Sequence, residues 1–96
     1  MEMSLSRKGD FAEFYAVTWL WDQGYEVFLN AGCTGPVDLI ATKDGKTVLV
    51  DVKTRARTPA GQIGGRPRTQ KQKDMGVRFV FFNPQNRKCH WVEHRQ

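Results

Sequence analysis

Residues 37–53 hold two apolar, valine-rich runs separated by Lys43-Asp44-Gly45-Lys46. Asp-Gly suits the positive-φ positions of a two-residue type I′ turn, so the segment reads as a β-hairpin. A two-residue turn sets the register: Lys43 opposes Lys46, Thr42 opposes Thr47 and Ile40 opposes Leu49. Carried further, Asp38 opposes Asp51. Directly opposed residues of an antiparallel pair place their side chains on one face, about 5 Å apart. Two like charges so placed repel, more so where Leu39, Ile40, Val50 and Val52 keep the site partly dry. Protonating one acid, supplying a cationic side chain or binding a metal ion each relieves the repulsion. Side chains alternate along a strand, which puts Lys53 on the face of Asp51. Mg²⁺ prefers carboxylate oxygens and keeps several waters, which suits two aspartates at a sheet edge. A three-residue turn or a bulge would slip this register, leaving Asp38 and Asp51 as solvated strand residues.

A third acid precedes the hairpin. Residues 11–21 are almost wholly apolar, with Phe11, Phe14, Tyr15, Thr18 and Trp19 on the i, i+3, i+4 rows. No helix breaker stands between Asp10 and Gln23, and Gly24 is a natural stop. The expectation is a helix of about four turns, packed on most sides. From Phe11 to Trp21, Glu13 is the only charged residue. A lone carboxylate on such a helix needs a partner. Alternatively, Asp10 at the N-cap and Glu13 three residues on form a capping box.

The remaining segments alternate in the same way. Residues 25–29 read as a strand and 30–36 as a loop of small residues. Residues 69–75 read as a short helix before Gly76, 77–82 as an apolar strand, and 89–92 as a last strand after a turn at 83–86. The order α-β-β-β-α-β-β makes an α/β domain with a mixed central β-sheet flanked by helices. The apolar run 77–82 and Trp91 suit either a core or a dimer surface.

Ninety-six residues make one domain, 1–96, with a modest core. A homodimer is a reasonable expectation for so small a basic chain. The formal charge of +5 and pI near 9.6 favour polyanionic partners, nucleic acid first, or serve only solubility. Between Lys53 and Lys73 every charge is positive. A loop at about 54–69, rich in glycine and proline, is expected to be flexible. Arg55, Arg57, Arg66, Arg68, Lys71 and Lys73 are candidate phosphate contacts, with Gln70 beside them and Arg7 and Lys8 before the first helix. The plain alternative is a solvated loop. Cys33 and Cys89 match neither a disulfide framework nor a zinc motif. Cys89, His90 and His94 would need a distant fourth ligand, and read as strand-end residues. No apolar run reaches the ~18 residues of a membrane span, and MEMSLSRKGD lacks a signal-peptide core. A cytoplasmic protein is expected, nucleoid-associated or encoded by a phage or mobile element.

Taken together, Glu13, Pro36-Val37-Asp38 and Asp51-Val52-Lys53 resemble the PD-(D/E)XK nuclease superfamily. There a helix glutamate precedes an aspartate at a strand start and a D/E-x-K on the next strand. This chain inserts one residue between the proline and the aspartate. The stretch R-K-G-D-F-A-E-F-Y-A-V-T-W-L-W-D-Q-G-Y-E-V is similar to the opening helix of small members, among them archaeal Holliday-junction resolvases and group I intron-associated endonucleases. The resemblance covers roughly residues 7–54. It implies a restriction-endonuclease-like core and a Mg²⁺-dependent endodeoxyribonuclease, with Mn²⁺ able to substitute and no small-molecule cofactor. Asp38 would bridge the metal, and Asp51 and the backbone carbonyl of Val52 would bind it. Glu13 would hold a second metal or its water. Lys53 would orient or deprotonate the attacking water and offset phosphorane charge. Little room for base-reading loops favours structure-selective cutting of branched or four-way-junction DNA by a homodimer. The alternatives are a sequence-specific homing-type enzyme or a non-catalytic nucleic-acid-binding domain of the same fold.

Overall fold

A computed structural model of the chain describes residues 3–32, 34–54 and 67–93. The elements are α1 (Leu5–Asp22), β1 (Glu26–Leu29), β2 (Leu39–Lys43), β3 (Lys46–Thr54), α2 (Gln70–Met75), β4 (Arg78–Asn83) and β5 (Lys88–Trp91). The order expected from the sequence is the order found, with strand ends displaced by a residue or two. Arg55, Arg57, Arg66, Cys33, His94 and most of the expected flexible loop lie outside the described residues.

Ser4, not Asp10, caps α1. Its side-chain oxygen accepts from the Arg7 N–H at 3.1 Å. The helix thus begins five residues before Asp10, and the Asp10–Glu13 capping box does not form. A serine in extended geometry ahead of Leu5 satisfies the first free N–H groups as well as an aspartate would. Nor is α1 packed on most sides. Its buried stripe is Ala12, Ala16, Val17 and Leu20, while Phe14 and Trp21 remain 63% and 59% exposed. Small residues on the inner stripe let the helix sit close to the sheet, and the aromatics flank it.

The five strands form one sheet in the order β1-β2-β3-β4-β5. All pairs are antiparallel except β3 with β4. A parallel neighbour requires a crossover, and the connection from β3 to β4 carries α2. The Asp44-Gly45 turn has positive φ at both residues, 52° and 77°, as type I′ demands. Lys43 pairs with Lys46, Thr42 with Thr47 and Ile40 with Leu49, as the two-residue turn requires.

Alternation along β3 divides the sheet into two environments. Val50 and Val52 turn toward α1, where Ala16, Val17, Leu20, Leu39, Ala41 and Val80 close the core. Asp51 and Lys53 turn to the other face, against the ring of Phe79. The apolar run 77–82 is core, not a free surface: Val77, Phe79, Val80, Phe81 and Phe82 are all buried. Trp91 packs on Trp19 with ring centroids 5.6 Å apart. No helix among the described residues is long and apolar enough to cross a membrane.

Candidate active site

Asp38 sits one residue before β2. Its N–H donates to the Val50 carbonyl at 2.8 Å, and the Val52 N–H donates to its Oδ2 at 2.7 Å. The loop that delivers it is organised by Asn30. The Asn30 side-chain amide donates to the carbonyls of Thr34 and Val37, its Oδ1 accepts from Gly32, and its own N–H donates to the Asp38 carbonyl. An asparagine in such a loop replaces backbone partners that no strand supplies.

Asp51 is 8% exposed. Its Oδ2 takes an ion pair from Lys53 Nζ at 3.1 Å and a hydrogen bond from Gln72 Nε2 at 2.8 Å. The Lys53 ammonium also stands 5.1 Å from the Phe79 ring centroid, which fixes it on this face. The Asp38 carboxyl lies against that of Asp51. Burial, first, and the contact with Asp51, second, push Asp38 up from an ordinary carboxylate value to about 7, against the opposing pull of the Val52 N–H. Glu13 is also raised, by burial first and then by Asp10 and Asp51. Glu13 and Asp38 share a cavity of about 290 Å³ with Asp10, Phe14, Leu29 and Asn30.

The structure thus brings together Glu13, Asp38, Asp51 and Lys53, with the Val52 backbone between them. Asp38, which holds its proton to near neutrality, and the adjoining Asp51 carboxyl are a donor set suited to a divalent cation, which replaces that proton. Among the described residues, no three His, Cys, Asp or Glu side chains close into a ready-made metal cluster. The close pair is Asp38 with Asp51, and Glu13 flanks it. Elsewhere, Cys89 lies half-buried against the core, and burial pushes its thiol up to about 11. His90 packs edge-on to Phe81.

Gln72 is the site residue that the sequence reading missed. Gln70, named in its place, is exposed and bonds Asp74. Gln72 is 5% exposed and donates both to Asp51 and, at 3.0 Å, to the Pro36 carbonyl. Its Oε1 accepts from the Thr69 N–H, closing a capping box that starts α2. The T-x-x-Q spacing at Thr69 was the available signal; it sets the helix start, and hence which face each glutamine presents.

The candidate phosphate contacts divide. Arg7 and Lys8 are exposed in the first turns of α1, and Lys71 and Lys73 on α2. Arg68 instead donates to the Val77 carbonyl at 3.1 Å and holds the start of β4.

Comparison with known proteins agrees with this architecture. A solved bacterial homing endonuclease superposes with a TM-score of 0.77 at 19% identity, over 94% of this chain and 69% of that one. A relative in Caldicellulosiruptor bescii is 44% identical over 55 residues, and one in Treponema pallidum is 42% identical over 48. Both are described as UPF0102 proteins. The matches cover 55% and 48% of this chain and only 46% and 38% of those relatives, so the chain spans less than half their length. Residues 12–83, which include every acid of the candidate site and Gln72, match the uncharacterised protein family UPF0102. The chain belongs to the UPF0102 family, and its fold is the restriction-endonuclease-like core expected from its resemblance to PD-(D/E)XK nucleases.

Proposed function

We propose that the protein is a metal-dependent endonuclease that hydrolyses DNA phosphodiester bonds at Glu13, Asp38, Asp51 and Lys53. The observation that carries this reading is the contact between Asp38 and Asp51 beside the Lys53 ammonium. A domain that only bound DNA would gain nothing from two repelling carboxyls facing phosphate. The family match and the fold of the structural neighbour support a nuclease.

Asp38 and Asp51 would hold Mg²⁺ or Mn²⁺, helped by the Val52 carbonyl, with Glu13 at the margin. When bound, the ion supplies charge neutralisation at the phosphate and an acidified water. The chain's own groups do the rest. Val52 N–H orients the Asp38 carboxyl, and Gln72 and Lys53 orient that of Asp51. Lys53, adjoining the acids, positions the attacking water and offsets negative charge on the phosphoryl oxygens.

The substrate we assign is branched or four-way-junction DNA, cut by a homodimer with two sites. The exposed cations on α1 and α2 can grip phosphates, and a chain of 96 residues has little room for base-reading loops. A sequence-specific homing-type activity is the second reading, favoured by the structural neighbour. Linear duplex, single-stranded, flap and four-way-junction DNA, each with Mg²⁺, Mn²⁺ or EDTA and beside Asp51→Asn, separate these readings. Metal-dependent symmetric cuts near the junction, absent in the variant, are expected. Tight binding without cutting of any substrate would leave a non-catalytic DNA-binding domain.

A further inference from the structure

A second pocket lies on the flank of α1 away from Glu13. It has a volume of about 360 Å³ and is lined by Lys8, Phe11, Thr54, Phe82, Pro84 and Arg87, with Met3 at its edge. Its floor is apolar, two cations border it, and none of its described lining residues is acidic. Lys8, Phe11 and Tyr15 follow one side of the helix, whereas Asp10, Glu13 and Phe14 line the acid cavity. Thr54 directly follows Lys53 on β3, so the pocket adjoins the end of the strand that carries Asp51 and Lys53.

Arg87 closes the turn between β4 and β5, where its N–H donates to the Asn83 carbonyl at 2.7 Å. It has φ 59°, a conformation that favours glycine or asparagine. Its guanidinium stands over the Phe11 ring, 5.4 Å from the centroid, and Nη1 donates to the Tyr15 hydroxyl at 3.3 Å. A cation held by a ring and a hydroxyl at the edge of an apolar cavity points to a ligand with a phosphate and a flat apolar part.

We propose that this pocket binds one nucleotide of single-stranded DNA, with its phosphate between Lys8 and Arg87 and its base against Phe11 and the apolar floor. The proposal rests on DNA being the substrate and gives the separated strand a path past the end of β3. The volume lies near the lower end of small-molecule sites, which span roughly 300–1,000 Å³, so it suits one nucleotide and excludes a duplex. Sequence-tolerant binding by a cation and a ring is the general mode for single strands.

The test uses a single-stranded oligonucleotide carrying 2-aminopurine, titrated with the protein in EDTA. Wild type is expected to bind and quench the probe. Lys8→Ala and Arg87→Gly should each raise Kd by about tenfold, the scale of one lost phosphate contact. Glycine suits φ 59°, so Arg87→Gly should fold, as its melting curve will show. Phe11→Leu should abolish most of the quench. Lys46→Ala, on the distant hairpin turn, controls for net charge and should change Kd by less than about twofold. No quench in wild type, or Kd for Lys8→Ala and Arg87→Gly matching that of Lys46→Ala, overturns the pocket. Cutting assays with Mg²⁺ separate the two readings. Cutting of duplex without these oligonucleotide effects sinks the pocket alone. Oligonucleotide effects without any cutting sink the nuclease and support the pocket.

Discussion

The Gln72 side-chain nitrogen donates at once to Asp51 Oδ2, at 2.8 Å, and to the Pro36 carbonyl, at 3.0 Å. One amide thus ties α2 to β3, which carries one acid, and to the loop that delivers the other. Gln72→Ala leaves a buried carboxylate and a carbonyl short of a donor, a loss of about 1–3 kcal/mol. For a domain of this size each kcal/mol lowers Tm by roughly 4–8 °C. Gln72→Glu keeps the side chain's length but adds a carboxyl against Asp51, and it should lose more at pH 8 than at pH 5. Melting curves at both pH values check this; an unchanged Tm in Gln72→Ala would remove the brace from the argument.

Asp38 gives the metal-free protein a stability that falls as pH rises. Its folded value, about 7, lies above its ordinary value of 3.8, so the folded state binds more protons between those limits. The contribution is fully present below pH 3.8 and lost by the time pH has risen through about 7. Tm in EDTA should therefore decline across this window, and Asp38→Asn should flatten the decline. Added Mg²⁺ should restore Tm at pH 8 and do little at pH 5, where the proton holds its place. A Tm in EDTA that climbs from pH 5 to pH 8 contradicts the assignment.

Removing one acid should separate stability from activity. Asp51→Asn relieves the repulsion and keeps the side chain's shape, so Tm at pH 8 should equal or exceed that of wild type. Its DNA cutting should fall to background. Lys53→Met keeps much of the stem over Phe79 and loses the ammonium. Its rate should drop by about 10²–10⁴, the range for a lost proton-transfer or charge-stabilising group. Single-turnover cleavage measures both, and full activity in either variant refutes the site.

The hairpin turn sets the geometry of the acids. Gly45 has φ 77°, and a β-branched residue there costs about 1–2 kcal/mol. Gly45→Val should lower Tm and cutting together. Inserting one glycine after Asp44 should slip the register, turn one aspartate away, and abolish cutting with the sheet retained. Circular dichroism beside the cleavage assay distinguishes loss of register from loss of fold.

Legibility followed the range of the interactions. The Asp44-Gly45 turn is local, and its chemistry alone predicts the observed register from Lys43–Lys46 to Ile40–Leu49. Lys53 follows from strand alternation. The start of α1 was misplaced because Ser4 and Asp10 are both good caps, and only the packing of the whole helix chooses between them. The exposure of Phe14 and Trp21 was hidden for a similar reason, since hydrophobicity does not reveal which stripe of an apolar helix meets the sheet. Gln72 was missed because its partners lie 21 and 36 residues away, across a crossover whose path no local pattern encodes.

The parallel pairing of β3 with β4 has a consequence for how the site is assembled in time. Asp38 and the Val52 amide are 14 residues apart, within the reach of a hairpin that closes in about 1–10 μs. Gln72 reaches Asp51 only after the slower, non-local docking of the crossover. The two carboxyls therefore oppose each other early in folding, before the group that braces them arrives. Protons and divalent cations should speed refolding as well as stabilise its product. A stopped-flow refolding limb that steepens with acid or Mg²⁺, and loses that dependence in Asp38→Asn, would place the electrostatic cost of the site on the folding barrier itself.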